Sequence, residues 1–210
     1  MRTRALALLL ALCWLPRVAA ALPLISEVLY DATGSDDGKG FVEIHAAAGT
    51  VLDGYVVQGV NGSNGSITPS VTLSGTVGAD GLFVVADGRS DGSTDVANAD
   101  LVLNFDFQNG PDSIELLAPD GSVLDALGYG VFDVGEVFAG EGTPAPDAPS
   151  DSSLARLFAD VDTDDNFADF AIAVPTPGSA PLAVPEPGSA ALLGVGLAGL
   201  ARCGRRRARR

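Results

Sequence analysis

Residues 113–127 read SIELLAPDGSVLDAL, two short apolar runs joined through Asp120-Gly121. Each run is strand-length, and an Asp-Gly step between two such runs is a two-residue hairpin signal, because glycine accepts the positive φ that the turn demands. The same grammar repeats outward from this hairpin. Before it lie residues 24–30 (LISEVLY, loosely alternating), 41–46 (FVEIHA), 55–60 (YVVQGV), 67–73, 82–86 (LFVVA) and 101–105 (LVLNF); after it lie 154–158 (LARLF) and 167–174. Turn-forming residues separate the runs, as in the Asp/Gly/Ser-rich stretch 31–40 and the NGSNGS of residues 61–66. Between the two ends of the chain no long window keeps an apolar period of 3.6 without Gly or Pro. Short strands at this spacing predict an all-β domain over residues 22–180, an antiparallel β-sandwich. The Pro-rich residues 140–153 read as a long surface loop, and residues 175–182 (PTPGSAPL) as an extended linker.

Charge is distributed unevenly. The chain of 210 residues carries a net charge of −15, yet nine of its 12 basic residues sit in the first 17 or last nine positions. Only Lys39, Arg89 and Arg156 face the 26 acids of the middle (Glu186 is the remaining one). Such a surface repels phosphate backbones, which excludes nucleic acid as a partner, and attracts divalent cations. Both cysteines, Cys13 and Cys203, lie in the terminal segments, so the middle offers no disulfide, thiolate metal site or cysteine nucleophile.

The two ends read as addresses. Residues 1–20 have the three parts of a secretory signal: Arg2 and Arg4, the apolar core of residues 5–15, then Val18-Ala19-Ala20 with cleavage expected at Ala20. That core is too short to span a bilayer, so a signal helix is expected, with the secretion translocon and signal peptidase as partners. At the other end a linker and motif over residues 181–187 contain Val184-Pro185-Glu186-Pro187. An apolar helix over 188–201 and a basic tail over 202–210 follow, with Arg202, Arg205, Arg206, Arg207, Arg209 and Arg210 as a cytoplasmic stop. These residues closely resemble the PEP-CTERM sorting signal. That resemblance implies an exosortase-type transpeptidase as partner, a transient inner-membrane anchor, and release to the outer surface or extracellular space. An uncleaved C-terminal anchor is the alternative.

The middle is similar to the lamin-tail domain, an immunoglobulin-like β-sandwich. The pieces that carry the resemblance are ISEVLYD (25–31), FVEI (41–44), DSIELLAPDGSVLDALGYG (112–130), and the run from Ser153 to Gly178 containing Ser-Leu-Ala-Arg, Asp162-Thr163-Asp164-Asp165-Asn166 and Ala168-Asp169-Phe170. The chain departs from the family in having His45-Ala46-Ala47 after Phe-Val-Glu-Ile, and Gly54-Tyr55 where Gly-Trp is common.

Chemistry-bearing groups are sparse. Asp160, Asp162, Asp164 and Asp165, with Asn166, form the densest oxygen cluster, and alternate carboxylates on a turn are how calcium loops collect ligands. The EF-hand pattern fails there, since Asp165 stands where glycine belongs and Ala171 where glutamate belongs, so an Asx-turn entry to the last strand competes with calcium. No other cofactor is implied. His45, the single histidine, sits in a strand expected to expose it, and no G-x-S-x-G motif accompanies it. The reading is therefore a non-enzymatic exported surface or matrix protein, structural or adhesive and acting on an unidentified surface partner. A calcium-dependent carbohydrate- or protein-binding module, and a hydrolase with an unrecognised carboxylate pair, are the alternatives.

Overall fold

A computed structural model describes residues 22–182. The expected signal segment with Ala20, the sorting motif, the apolar run and the terminal arginines lie outside the described residues. The elements are β1 (Leu24–Leu29), β2 (Phe41–His45), β3 (Val56–Asn61), β4 (Ile67–Thr72), β5 (Leu82–Asp87), β6 (Leu101–Leu103), β7 (Asp112–Leu117), β8 (Val123–Tyr129), β9 (Ser153–Arg156), α1 (Asn166–Asp169) and β10 (Phe170–Ala173). They form a six-stranded sheet in the order β10-β9-β1-β2-β5-β6 and a four-stranded sheet in the order β4-β3-β7-β8. The pairings between these strands are antiparallel except β5 with β6, which is parallel and departs from the expected all-antiparallel sheet.

One apolar layer joins the sheets. Ile25, Val28, Val42, Ile44, Phe83 and Val85 of the larger sheet share it with Val57, Ile114, Leu116, Leu127 and Tyr129 of the smaller. In β2 and β5 the inward residues alternate, as a pleated strand requires. Strand β1 breaks the rule, because Ile25 and Val28 are three apart and both face inward. A register shift between Ile25 and Glu27 against β2 supplies the extra residue, and a bulge of this kind is why LISEVLY alternates only loosely. Tyr30 and Tyr129 stack at 4.1 Å between centroids at one end of the layer.

The larger sheet is covered on its outer face too. Leu29, Phe41 and Val84 form a second small cluster with Val96 against it. Beside them Glu27 and Glu43 are buried and fully engaged. Ser26 Oγ donates to Glu43 at 2.7 Å and Ser153 Oγ to Glu27 at 2.5 Å. The Thr176 amide and hydroxyl donate to Glu27 at 2.9 and 3.0 Å, and the Gly178 amide to Glu43 at 2.6 Å. The Ala159 amide donates to Pro181 O at 2.8 Å. Residues 175–181, expected as linker, are thus laid over the sheet and held by carboxylates that need their N–H groups. Burial pushes the Glu43 carboxyl above its ordinary range, and nearby Glu27 adds to that, while the Ser26 and Gly178 donors pull it back.

Three further expectations are corrected. The hairpin at Asp120-Gly121 is closed by Ala118 N–H to Ser122 O at 2.8 Å, a three-residue loop in which Gly121 takes the left-handed position (φ 85°). Pro119 pre-sets the first turn residue, which favours this longer loop over the tight two-residue one. Residues 167–174 are not one strand, because Asp165 caps the short helix α1 before β10 starts. The stretch 140–153 is not simply surface. Ala145 bridges to Tyr129, Ala148 N–H donates to Tyr30 Oη at 2.7 Å, and both alanines are buried.

Leu127, fully buried between the sheets, gives a direct measure of this core: Leu127→Ala is expected to lower stability by about 2–5 kcal/mol in urea unfolding. Val134→Ala at a fully exposed loop position should stay within about 0.5 kcal/mol of the parent.

Candidate functional site

The densest concentration of charge within the described residues is built around Arg156, the last residue of β9. Its side chain is 1% exposed. Nε donates to Ile25 O on neighbouring β1 at 2.9 Å. Nη2 donates to both oxygens of Asp125, on β8 of the other sheet, at 2.8 Å each. Nη1 reaches Asp169 Oδ2 at 3.0 Å, Val161 O at 3.2 Å and Asp162 Oδ1 at 3.3 Å. The Phe170 ring lies under the guanidinium at 4.5 Å. A planar fork with five N–H donors suits such a setting, since each donor finds an acceptor and the charge faces carboxylates. Asp125 also accepts the Ile25 amide at 2.6 Å. Burial raises its carboxyl, opposed by Arg156 and that amide.

The acidic stretch 160–166 wraps this hub. Asp162 accepts its own Asx-turn amide from Asp164 at 3.1 Å while facing Arg156. Asp164 sits at φ 55° with an exposed side chain. Asp165 accepts the Phe167 amide at 3.2 Å as helix cap and the Thr143 amide at 3.1 Å. Asn166, fully buried, donates to Ala126 O at 2.7 Å and accepts from Gly128 N at 2.8 Å and Glu141 N at 2.9 Å. Asp169 accepts from the Thr163 amide and hydroxyl at 2.9 and 2.7 Å. Asp160 acts elsewhere, its charge working against the effect of burial on His45. The four aspartates read from sequence as calcium ligands therefore do not converge as a set. The carboxylates that do converge are Asp125, Glu141 and Asp162, with one oxygen of each within 4.8 Å of the others.

Glu141 is the strained member of that group. Its Oε2 is buried without a hydrogen-bond partner. Burial first, then the charges of Asp125 and Asp162, push its carboxyl up to about 8, with Arg156 opposing. The chain has little freedom to relieve it: a Cβ on neighbouring Gly140 would stand 2.4 Å from Gly128 N and 2.5 Å from Asn166 Oδ1. Asp125, Glu141 and Asp169 were not among the sequence candidates. The available signal was that Arg156 is a lone cation inside the apolar run LARLF, which demands carboxylates from somewhere.

Two open clefts lie elsewhere on the described residues. One of about 310 Å³ is lined by Ser35, Asp36, Asp37, Asp87, Asn104 and Asp106. Asp87 there is committed to structure, taking the Gly38 and Phe105 amides at 2.5 and 3.0 Å. The other, of about 200 Å³, is lined chiefly by Asn61, Ser63, Gln108, Asn109 and Glu136. His45, expected as an exposed strand residue, is partly buried; its Nδ1 has no hydrogen-bond partner, and burial lowers its pKa while Asp160 opposes.

Residues 183–207 match the family described as the PEP-CTERM protein-sorting motif. No curated protein and no solved structure matches the chain. The matched segment begins directly after the residues held over the larger sheet, and it marks the chain for export and for membrane-associated sorting by exosortase-type machinery. Among the described residues no helix is long and apolar enough to cross a membrane.

Removing the guanidinium strands Asp125 and Asp169 in the interior, so Arg156→Met is expected to cost about 3–5 kcal/mol in chemical unfolding. Arg156→Lys keeps the charge but cannot reach Ile25 O, Asp125 and Asp169 at once as the planar guanidinium does, and should recover only part of that loss. Glu141 gives a pH signature. Its folded pKa of about 8 lies above the unfolded 4.5, so between those values the folded state holds the extra proton. Stability is then lost as pH rises through that window. Melting curves from pH 5 to 9 should show the parent falling relative to Glu141→Gln as pH rises; a pH-independent gap would remove Glu141 as the titrating group.

Proposed function

We propose that this chain is a non-enzymatic exported protein whose sandwich is delivered to the outer surface or extracellular matrix through the exosortase route, where it has a structural or adhesive role, as in a biofilm matrix. The observation that carries the reading is the continuity of fold and address. The contacts that fasten the final described segment, Thr176 on Glu27, Gly178 on Glu43 and Pro181 O on the Ala159 amide, run to within two residues of the sorting motif. The domain is therefore presented to the membrane as a finished unit, and the arginines beyond residue 201 belong to a segment that processing removes.

The sandwich itself is read as lamin-tail-like and immunoglobulin-like. In support, the pieces that carry the resemblance fall where the structure needs them. ISEVLYD supplies β1 and the stacked Tyr30, FVEI supplies β2 with buried Glu43, and the Ser-Leu-Ala-Arg to Ala-Asp-Phe run supplies Arg156, Asp162 and Asp169. In this reading the cation of the acidic cluster is the Arg156 guanidinium, and no cofactor is required. The second reading, a calcium-dependent binding module, is favoured by the convergence of Asp125, Glu141 and Asp162. Those oxygens are the hard donors calcium takes.

Protein recovered from outside the producing cells is expected, by intact mass, to lack Cys203 and the terminal arginines, and replacing Pro185, Glu186 and Pro187 together by alanine should leave full-length chain in the membrane fraction. Arg210 on the extracellular form would overturn the sorting reading. Calorimetric titration separates the two readings of the cluster. Heat on adding calcium that disappears in Asp162→Ala selects the calcium module, whereas an unchanged melting temperature and no heat select the guanidinium-filled site.

A further inference from the structure

Strand register brings five exposed apolar side chains to one end of the larger sheet. β1 and β9 are antiparallel with Glu27 opposite Ala155 and Val28 opposite Leu154, so the start of β1 and the residues after β9 share an end, and Leu22 belongs to it. β9 and β10 pair with Arg156 opposite Phe170, and the Leu157 amide donates to Asp169 O at 2.7 Å. That contact brings α1, with Phe167, to the same end. The bond from Ala159 N–H to Pro181 O brings the backbone before Leu182 to the stretch that follows Phe158, at the same end. Leu22, Leu157, Phe158, Phe167 and Leu182 are each about half or more exposed. Ile172 and Val174, also exposed, lie toward the other end of β10, and Val131, Val134 and Val137 belong to a separate loop after β8.

Leu22 and Leu182, the two ends of the described residues, both lie here, and the span from Leu182 to the apolar run is short. Thr176, Gly178 and Pro181 are fixed to Glu27, Glu43 and Ala159. Only residues 183–187 separate Leu182 from the apolar run that starts at Gly188. Five residues fully extended reach about 18 Å. We propose that this end is a membrane-resting face: Leu22, Leu157, Phe158, Phe167 and Leu182 seat in the headgroup boundary of a zwitterionic bilayer while the C-terminal segment still holds the chain there. The proposal rests on the reading of that segment as a membrane anchor. The short tether supplies the high effective concentration that a handful of side chains needs to hold a surface contact. Exposed Asp164, beside the Arg156-paired Asp162, disfavours anionic lipid, which fixes the choice of lipid. The contact would hold the sorting motif at a constant height above the bilayer and lapse once the tether is cut.

The test uses the full-length chain in phosphatidylcholine nanodiscs, with a photoreactive benzophenone side chain at position 158, or at position 134 as control. Flotation reports the anchor independently of the face. The expected result is a lipid adduct at 158 at least about fivefold over that at 134, falling at least about threefold when Leu157→Asp and Phe167→Asp are introduced together. Flotation and melting temperature should be unchanged by that pair. A floating chain with equal adducts at 158 and 134 overturns the face while sparing the anchor. A chain that does not float overturns the anchor and the face with it. An adduct at 158 joined to a second copy of the chain, in place of lipid, assigns the surface to self-association and overturns the lipid proposal.

Discussion

The buried guanidinium of Arg156 is the constraint on which the two sheets depend. It sits at the end of β9, takes Ile25 O of β1 within its own sheet, and reaches across to Asp125 on β8 of the other. A charge taken out of water must be met by carboxylates and by acceptors for its remaining protons, or the fold loses more than the pair can return. The irregular run after β9 meets that demand. Val161, Asp162 and Asp169 converge on Nη1, while Asp165 and Asn166 fasten the same run to Thr143, Ala126 and Gly128. A stretch that looks like a ligand-binding loop is, in its contacts, a clamp that locks sheet to sheet. The network is specific in a way an apolar contact is not, because shifting β8 by one residue would turn Asp125 outward and leave Arg156 without its bidentate partner.

The same economy appears wherever the interior holds charge. Three basic residues stand against 26 acids in the middle of the chain, so most buried carboxylates are satisfied by N–H and O–H donors. Asp112 takes the amides of Gly62 and Gly110, Asp87 those of Gly38 and Phe105, and Glu27 and Glu43 those of Thr176 and Gly178. Each arrangement uses a carboxylate to fold a loop or a tail back onto a strand. The remaining cations close loops as well. Arg89 pairs with Asp95 within its own loop, and Lys39 Nζ donates to Thr33 O at 3.0 Å.

Much of this architecture was legible in the sequence because strand pattern is local. The apolar runs fell on nine of the strands to within a few residues, and the Asp-Gly step marked a true hairpin, since Gly121 does take the left-handed position. What escaped was non-local. Residues 175–181 carry Pro, Gly and Ser, the composition of a linker, and only the position of Glu27 and Glu43 on distant strands turns them into a docked segment. The capping role of Asp165 splits residues 167–174 into helix and strand, and apolar content alone could not reveal it. At the candidate site, Asp162 was visible as part of an acidic run. Its partners Asp125 and Glu141 come from 37 and 21 positions upstream and are brought to it only by tertiary packing, with β8 set against β1 and α1.

The acidity of the domain and the basicity of its tail then become one argument. The described residues use their few cations internally and leave a surface of carboxylates, which stays soluble and self-repelling. Such a body gains nothing from an anionic lipid surface, so holding it at a membrane requires either a covalent tether or apolar contact. In the proposed reading the sequence beyond residue 182 is the tether, with six arginines after the apolar run where the positive-inside rule would retain them. The fold supplies the rest, because the carboxylates of Glu27 and Glu43 hold the final segment as far as Gly178 and the Ala159 amide holds Pro181 O. Attachment at that point removes slack that a true linker would have left. Hydrogen bonds inside the domain thereby fix where the chain leaves the sandwich, and a change at Glu27 or Glu43 would free residues 175–180 without touching the motif itself.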